Sequence, residues 1–181
     1  MLSIVIGCMF SGKTSYLLDI IQQLKEKNDS FLVINHISDS RYNDNSITNH
    51  NKKSENAFSL HTLKEFDICI LDKINYLLID ESQFFTDLYD NVLKFLNYKK
   101  SLNIIIVGLD GDYKQNVFND GQLLKLIPHC EKLTKLYSTC YKCGKKASFT
   151  KRIIDDTQQI IVGDNNIYKP SCYEHLKTQT C

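Results

Sequence analysis

Apolar residues fall in short, dense runs separated by polar stretches. Leu2 to Ile6 is one such run, closed by Gly7, and "FLVIN" (31–35), "YLLID" (76–80) and "NIIIVGL" (103–109) are three more. Short apolar runs bounded by turn-forming residues predict buried strands. The almost unbroken apolar character of 103–109 fits a parallel sheet covered on both faces. Between the runs the period changes. Leu17, Leu18, Ile21 and Leu24 recur at helical spacing from Lys13 to about Lys27, and Phe84 to Tyr98 predicts a second amphipathic helix. Residues 38–56 are rich in Asn, Ser and Asp and predict a long binding loop. Strands alternating with helices predict an α/β fold through about residue 135. From Leu136 the pattern breaks into short β-like pieces, "ASFTKR" and "QQIIVG", set between cysteine pairs. Two units are therefore expected, 1–135 and a smaller 136–181.

Composition narrows the classes. A chain of 181 residues has room for one domain with a core and a small appendage. Its 22 basic and 21 acidic residues give a net charge of +1, without the basic excess of a dedicated nucleic-acid binder. No apolar run reaches the roughly 18 residues of a membrane span. The opening Met1-Leu2-Ser3-Ile4 runs straight into a strand, with no basic leader or cleavage site, so no signal peptide is expected. The cysteines number seven, an odd count, and three of them sit in metal-type spacings. A reducing, cytoplasmic setting is expected rather than a disulfide framework.

The chemistry begins at residues 7–14, Gly-Cys-Met-Phe-Ser-Gly-Lys-Thr. This is G-x-x-x-x-G-K-[ST], placed after a strand and opening a helix, the setting of a phosphate-binding P-loop. Glycines let the backbone wrap the phosphates, and its N–H groups point inward with the helix N-terminus behind them. Lys13 supplies positive charge to the β- and γ-phosphates of ATP, and the Thr14 hydroxyl suits Mg²⁺. Gly7, Cys8, Met9, Phe10, Ser11, Gly12, Lys13, Thr14 and Ser15 form the expected nucleotide site. Met9 and Phe10 are large for such a loop; they either pack beneath it or wall a flat aromatic substrate. "LLIDESQFF" (77–85) then ends a strand in two carboxylates. Asp80 is expected on the Mg²⁺ side and Glu81 is free to act as a base. Alternatively, Glu81 stabilises the N-terminus of the helix predicted from Phe84. Asp-Glu-x-Gln also occurs in motor ATPases, but a motor needs two such domains. Met9, Phe10, Phe84, Phe85, Leu109 and Tyr113 flank the phosphate elements with apolar surface suited to a nucleobase.

In the tail, Cys140 and Cys143 are followed, after a gap of 28 residues, by Cys172 and His175. C-x₂-C with C-x₂-H supplies four ligands for tetrahedral Zn²⁺, so a structural zinc is expected, with no position left for a catalytic water. Cys8, Cys69, Cys130 and Cys181 have no ligand spacing. The clip closes a segment holding "FTKR" (149–152) and "QIIVGDNNIY" (159–168), whose backbone could read a base edge, with Gly163 allowing close approach.

Taken together, GCMFSGKTS (7–15), SDSRY (38–42), IDESQFF (79–85), GLDGDYKQNVF (108–118), the CYKC pair, SFTKR (148–152) and IVGDNNIYKPSCYEH (161–175) resemble the compact, zinc-ribbon (type II) thymidine kinases of cells and large DNA viruses. The resemblance implies a P-loop NTPase-type, RecA-like parallel sheet carrying a small C-terminal zinc-binding lasso or lid. It implies ATP-dependent phosphorylation of the thymidine 5′-hydroxyl, with Glu81 as general base. Asp80, Thr14 and Asp39 fall on the Mg²⁺ side, and Arg41 steadies the transferring phosphoryl group. Met9, Phe84, Leu109, Tyr113 and Thr150 match the thymine pocket. Gln159, Ile160, Ile161, Val162, Gly163 and Tyr168 match the loop that holds base and sugar. A homotetramer inhibited by thymidine triphosphate, in the cytoplasm (the host's for a viral version), is also implied. Cys8 stands where the family often has Pro, and Tyr113 where Phe is more usual.

Overall fold

The computed structural model describes residues 1–38, 46–48, 54–161 and 165–177. In chain order the strands are β1 (Leu2–Gly7), β2 (Phe31–His36), β3 (Ser46–Thr48), β4 (Ser54–Asn56), β5 (Phe58–Leu60), β6 (Tyr76–Ile79), β7 (Asn103–Gly108), β8 (Lys132–Leu136), β9 (Ser138–Thr139), β10 (Lys146–Ala147), β11 (Phe149–Arg152) and β12 (Tyr168–Ser171). The α-helices are α1 (Lys13–Glu26), α2 (Leu88–Tyr98) and the single turn α3 (Tyr173–Leu176). Six strands form one sheet in the order β5-β2-β6-β7-β1-β8, with every pairing parallel.

Side chains alternate across a strand, so each apolar run serves two faces. Leu2, Ile4 and Ile6 of β1, Leu77 and Ile79 of β6, and Ile104 and Ile106 of β7 join Leu88, Val92 and Phe95 of α2 in one core. The residues between them, Val5, Leu78, Ile105 and Val107, join Leu17, Leu18, Ile21 and Leu24 of α1 in the other. A one-residue slip would exchange the two sets, which pins the register.

The structure redraws several predicted elements. The helix expected from Phe84 starts only at Leu88. Asn119 Nδ2 donates to the carbonyl oxygens of Gln83 and Phe84, 2.9 Å each, and so takes the acceptors a helix would need there. Residues 82–84 form a 3₁₀ turn and Phe85 turns extended, its ring fully buried. The stretch expected as one long loop, 38–56, holds an antiparallel hairpin, β3 with β4, whose Ile47 is buried against the α1 face. β5 and β8, at the sheet edges, were not anticipated, because their exposed faces dilute the apolar pattern. "ASFTKR" contains β11, but the described part of "QQIIVG" forms no strand. β11 pairs instead with β12, antiparallel, Thr150 opposite Pro170 and Arg152 opposite Tyr168. No helix among the described residues is long and apolar enough to cross a membrane.

The core sets a measurable stability. Phe95 is 1% exposed, and its ring lies 5.6 Å from that of Phe66 at a steep angle. Phe95→Ala is expected to destabilise the fold by about 3–5 kcal/mol through lost burial and the cavity left behind, read from denaturant unfolding.

Candidate active site

Because the strands are parallel, their carboxyl ends share one edge, and the loops that leave them meet there. β7 lies between β1 and β6, with Ile6 beside Gly108 and Ile79 beside Ile106. The P-loop after β1, the Leu109 segment after β7 and the Asp80-Glu81 pair after β6 therefore stand side by side.

The P-loop runs from Gly7 to the start of α1. A Cβ on Gly7 would lie 2.6 Å from Leu136 O and 2.7 Å from Ser11 Oγ, so only glycine fits between the end of β8 and the loop. Lys13 Nζ donates to Cys8 O at 2.9 Å, folding the ammonium back over the loop. Burial pushes the Lys13 pKa down, while the negative charges of Glu81 and Asp80 pull it back up. Ser11 Oγ is buried without a hydrogen-bond partner among the described residues. An orphaned hydroxyl in a loop shaped by glycine fits an anionic ligand that this cradle would complete.

The carboxylates are buried, Asp80 at 3% and Glu81 at 9% exposure. Asp80 Oδ1 accepts from the Glu81 N–H at 2.9 Å, and Glu81 itself sits in the left-handed region, φ 46° and ψ 36°. Such a conformation is held only where the surroundings fix it. With α2 beginning at Leu88, Glu81 does not sit in the first turn of that helix, and the alternative role in its dipole falls away.

One hold on Glu81 is Gln83, which is 1% exposed and carries no signal in the sequence. Gln83 Oε1 accepts from the Leu109 N–H at 2.9 Å, and Nε2 donates to Glu81 Oε2 at 2.6 Å. A backbone N–H can only donate, so it sets which end of the amide is oxygen and leaves the NH₂ for the carboxylate. Gly108 keeps this space open: a Cβ there would run into Ser82 Oγ and come within 2.8 Å of Gln83 Oε1.

Beside the carboxylates lies an aromatic group. The Phe84 ring is 5.9 Å from Phe118 and 5.7 Å from His36. His36 Nδ1 accepts from the Ser38 N–H at 3.1 Å and Nε2 lies 3.1 Å from His61 O, which makes it a neutral imidazole protonated on Nε2. Burial lowers its pKa in keeping with that state.

The tail reaches the P-loop directly. Thr150 is buried and its Oγ1 accepts from the Met9 N–H at 3.0 Å; the Cys8 thiol, its pKa raised by burial, donates to Ala147 O at 3.7 Å. Tyr113 does not offer its hydroxyl to the aromatic group. It donates to Thr157 O at 3.2 Å, with Asp156 O at 3.4 Å. Gln159 Nε2 donates to Asp112 Oδ2 at 2.9 Å, and the Tyr168 hydroxyl donates to Ile161 O at 3.0 Å. Ile160 is 43% exposed. Asp39, Arg41, Val162 and Gly163 lie outside the described residues.

Cys140, Cys143, Cys172 and His175 bring their donor atoms within 4.8 Å of one another. Cys143 Sγ and Cys172 Sγ are 3.7 Å apart, and His175 Nδ1 is 3.6 Å from Cys140 Sγ and 3.3 Å from Cys172 Sγ. Tetrahedral zinc with usual bond lengths separates two sulfurs by about 3.8 Å and sulfur from nitrogen by about 3.6 Å. The donor set fits that ion. Burial works against ionising Cys140, but backbone N–H groups of Cys172, Lys142 and Cys143 outweigh it and bring its pKa to about 5, a thiolate at neutral pH.

The family model for thymidine kinase matches residues 1–176. The chain belongs to the thymidine kinase family. The thymidine kinase of Amsacta moorei entomopoxvirus is 36% identical over 176 residues, 94% of this chain and 94% of its own length. That of vaccinia virus (strain Western Reserve) is 32% identical over 171 residues, 94% of this chain and 93% of its own. That of rice, Oryza sativa subsp. japonica, is 33% identical over 177 residues, 95% of this chain; the chain spans 64% of the rice protein's length. Within this thymidine kinase framework, no spacing rule points to Gln83, because its role comes from a contact with Leu109, 26 residues away.

Gln83→Leu keeps the volume and removes both polar ends. It is expected to lower kcat by about tenfold or more, since a buried carboxylate loses a donor. The acidic limb of the pH–rate profile should also move to higher pH, because a donor that favours the charged form is gone. An unchanged profile would remove Gln83 from the site.

Proposed function

We propose that this chain transfers the γ-phosphoryl group of ATP to the 5′-hydroxyl of thymidine, giving thymidine monophosphate and ADP. The observation that carries the reading is the meeting of a P-loop with a buried, oriented carboxylate, Glu81, beside the Phe84 ring. The ring and the apolar Leu109 give a flat base a surface to pack on. Family membership supplies the substrate class.

In this reading Gly7–Ser15 hold the triphosphate, with Lys13 against the β- and γ-phosphates. Thr14 and Asp80, with Asp39, are the residues that would hold Mg²⁺, which neutralises phosphate charge when bound. Glu81 accepts the proton of the 5′-hydroxyl as its oxygen attacks the γ-phosphorus and ADP leaves in line. Positioning and charge do most of the work in such a transfer. Arg41 steadies the transferring group. Met9, Thr150 and the 159–163 segment with Tyr168 close on the nucleoside. The zinc is structural, because four protein ligands leave no open position. A homotetramer and inhibition by thymidine triphosphate belong to the same reading, as does a place in DNA-precursor supply.

Glu81→Gln keeps the shape and the Gln83 contact region but removes the base. ATP and thymidine affinity should stay near wild type while kcat falls by roughly 10²–10⁴-fold in a phosphoryl-transfer assay run across a nucleoside panel. Wild-type rates in the variant would sink the assignment. Removing the metal with a chelator should release about one zinc per chain and weaken thymidine binding, because the tail loses the bond set that holds it together. Unchanged thymidine affinity after verified zinc loss would rule out the structural role.

A further inference from the structure

Arg152, the last residue of β11, is buried at 7% exposure, yet carries a full charge. Its guanidinium faces backbone rather than acid. Nη1 donates to Asp156 O at 3.1 Å and to Gln158 O; Nη2 donates to Gln159 O at 3.2 Å and to the Tyr168 hydroxyl at 2.6 Å. The Tyr113 ring centroid lies 3.8 Å from the guanidinium carbon. Among the described residues its one ion-pair partner is Asp156, at 4.0 Å, and that carboxylate also accepts the Gln158 N–H at 2.8 Å.

A buried cation is tolerated only when acceptors surround it. Here three carbonyls from four residues of chain supply them, and they converge on one point only if residues 156–159 curl around it. Tyr113 and Asp112 hold the same curl from its other side, through Thr157 O and the Gln159 amide. Tyr168 passes the restraint on to Ile161. Uncurling the segment would take three carbonyls from the guanidinium and leave it only the Tyr168 hydroxyl and the Tyr113 ring, so the curl and the burial of Arg152 depend on each other.

We propose that Arg152 is a positioning residue for nucleoside binding: it curls residues 156–161 so that Gln159 to Ile161 are presented toward the nucleoside, and sets its affinity without touching it. This rests on the reading of that segment as the nucleoside-holding loop.

The test is thymidine binding and turnover by Arg152→Met and Arg152→Lys. Arg152→Met should raise the thymidine KM and Kd by about tenfold or more, the scale of losing charged hydrogen bonds. KM for ATP and zinc content should stay at wild-type values, which a general loss of structure would not allow. Arg152→Lys should fall between, since one ammonium cannot meet four acceptors in a plane. If Arg152→Met does not fold, Arg152→Lys carries the test and should still raise thymidine KM while KM for ATP stays at its wild-type value. Wild-type thymidine affinity in a folded, zinc-loaded Arg152→Met, or in Arg152→Lys where the Met variant fails, would overturn the proposal. Hydrogen exchange of the wild-type protein separates the two levels. Protection of residues 156–161 by thymidine with an unaltered variant KM overturns only the role of Arg152. Absent protection overturns the loop reading and the proposal with it.

Discussion

The level alignment of three parallel strands governs the rest of the molecule. β1, β7 and β6 end within about three residues of one level, and each exits into a different piece of chemistry. The alignment is held by two-sided burial: each central strand divides its side chains between two cores, so no strand can slide without turning apolar groups outward. The phosphate loop, the carboxylate pair and the Leu109 backbone are neighbours because the sheet cannot take another register. Gly108 and Gly7 are where this crowding is tightest, one giving room to Gln83 and the other to Ser11.

Much of this was legible in the sequence, for physical reasons. Strands buried on both faces announce themselves as unbroken apolar runs, and β1, β2, β6 and β7 were placed to within about a residue. The P-loop and the zinc ligands were legible because their chemistry demands fixed spacing. The edge strands β5 and β8 have one open side and carry residues such as Ser59, Lys132 and Lys135, which mask their pattern. The start of α2 was misplaced because Asn119, a residue far along the chain, removes two carbonyls from the helix. Gln83 and Arg152 escaped for the same reason. Each acts through partners that are distant in sequence or lie in irregular chain, where no period exists to betray them.

Two side chains outside the sheet tie the body to the tail. Tyr113 spends its hydroxyl on the carbonyls of Thr157 and Asp156, so it adds a tether to the tail rather than a polar group beside Phe84. Cys8 sets its thiol against Ala147 O. Both contacts join the P-loop side to the tail.

That contact has a consequence for how the chain can be recombined. The Met9 amide lies in the loop between β1 and α1, yet the acceptor it donates to, the Thr150 hydroxyl, comes from a strand of the tail. That loop is thus not a self-contained cassette. A chimera joined after Leu136 would inherit a loop with an unmet N–H unless the incoming ribbon brought a hydroxyl to the same point. Grafts between relatives are therefore constrained at one residue pair, Met9 and Thr150, more tightly than at the junction itself.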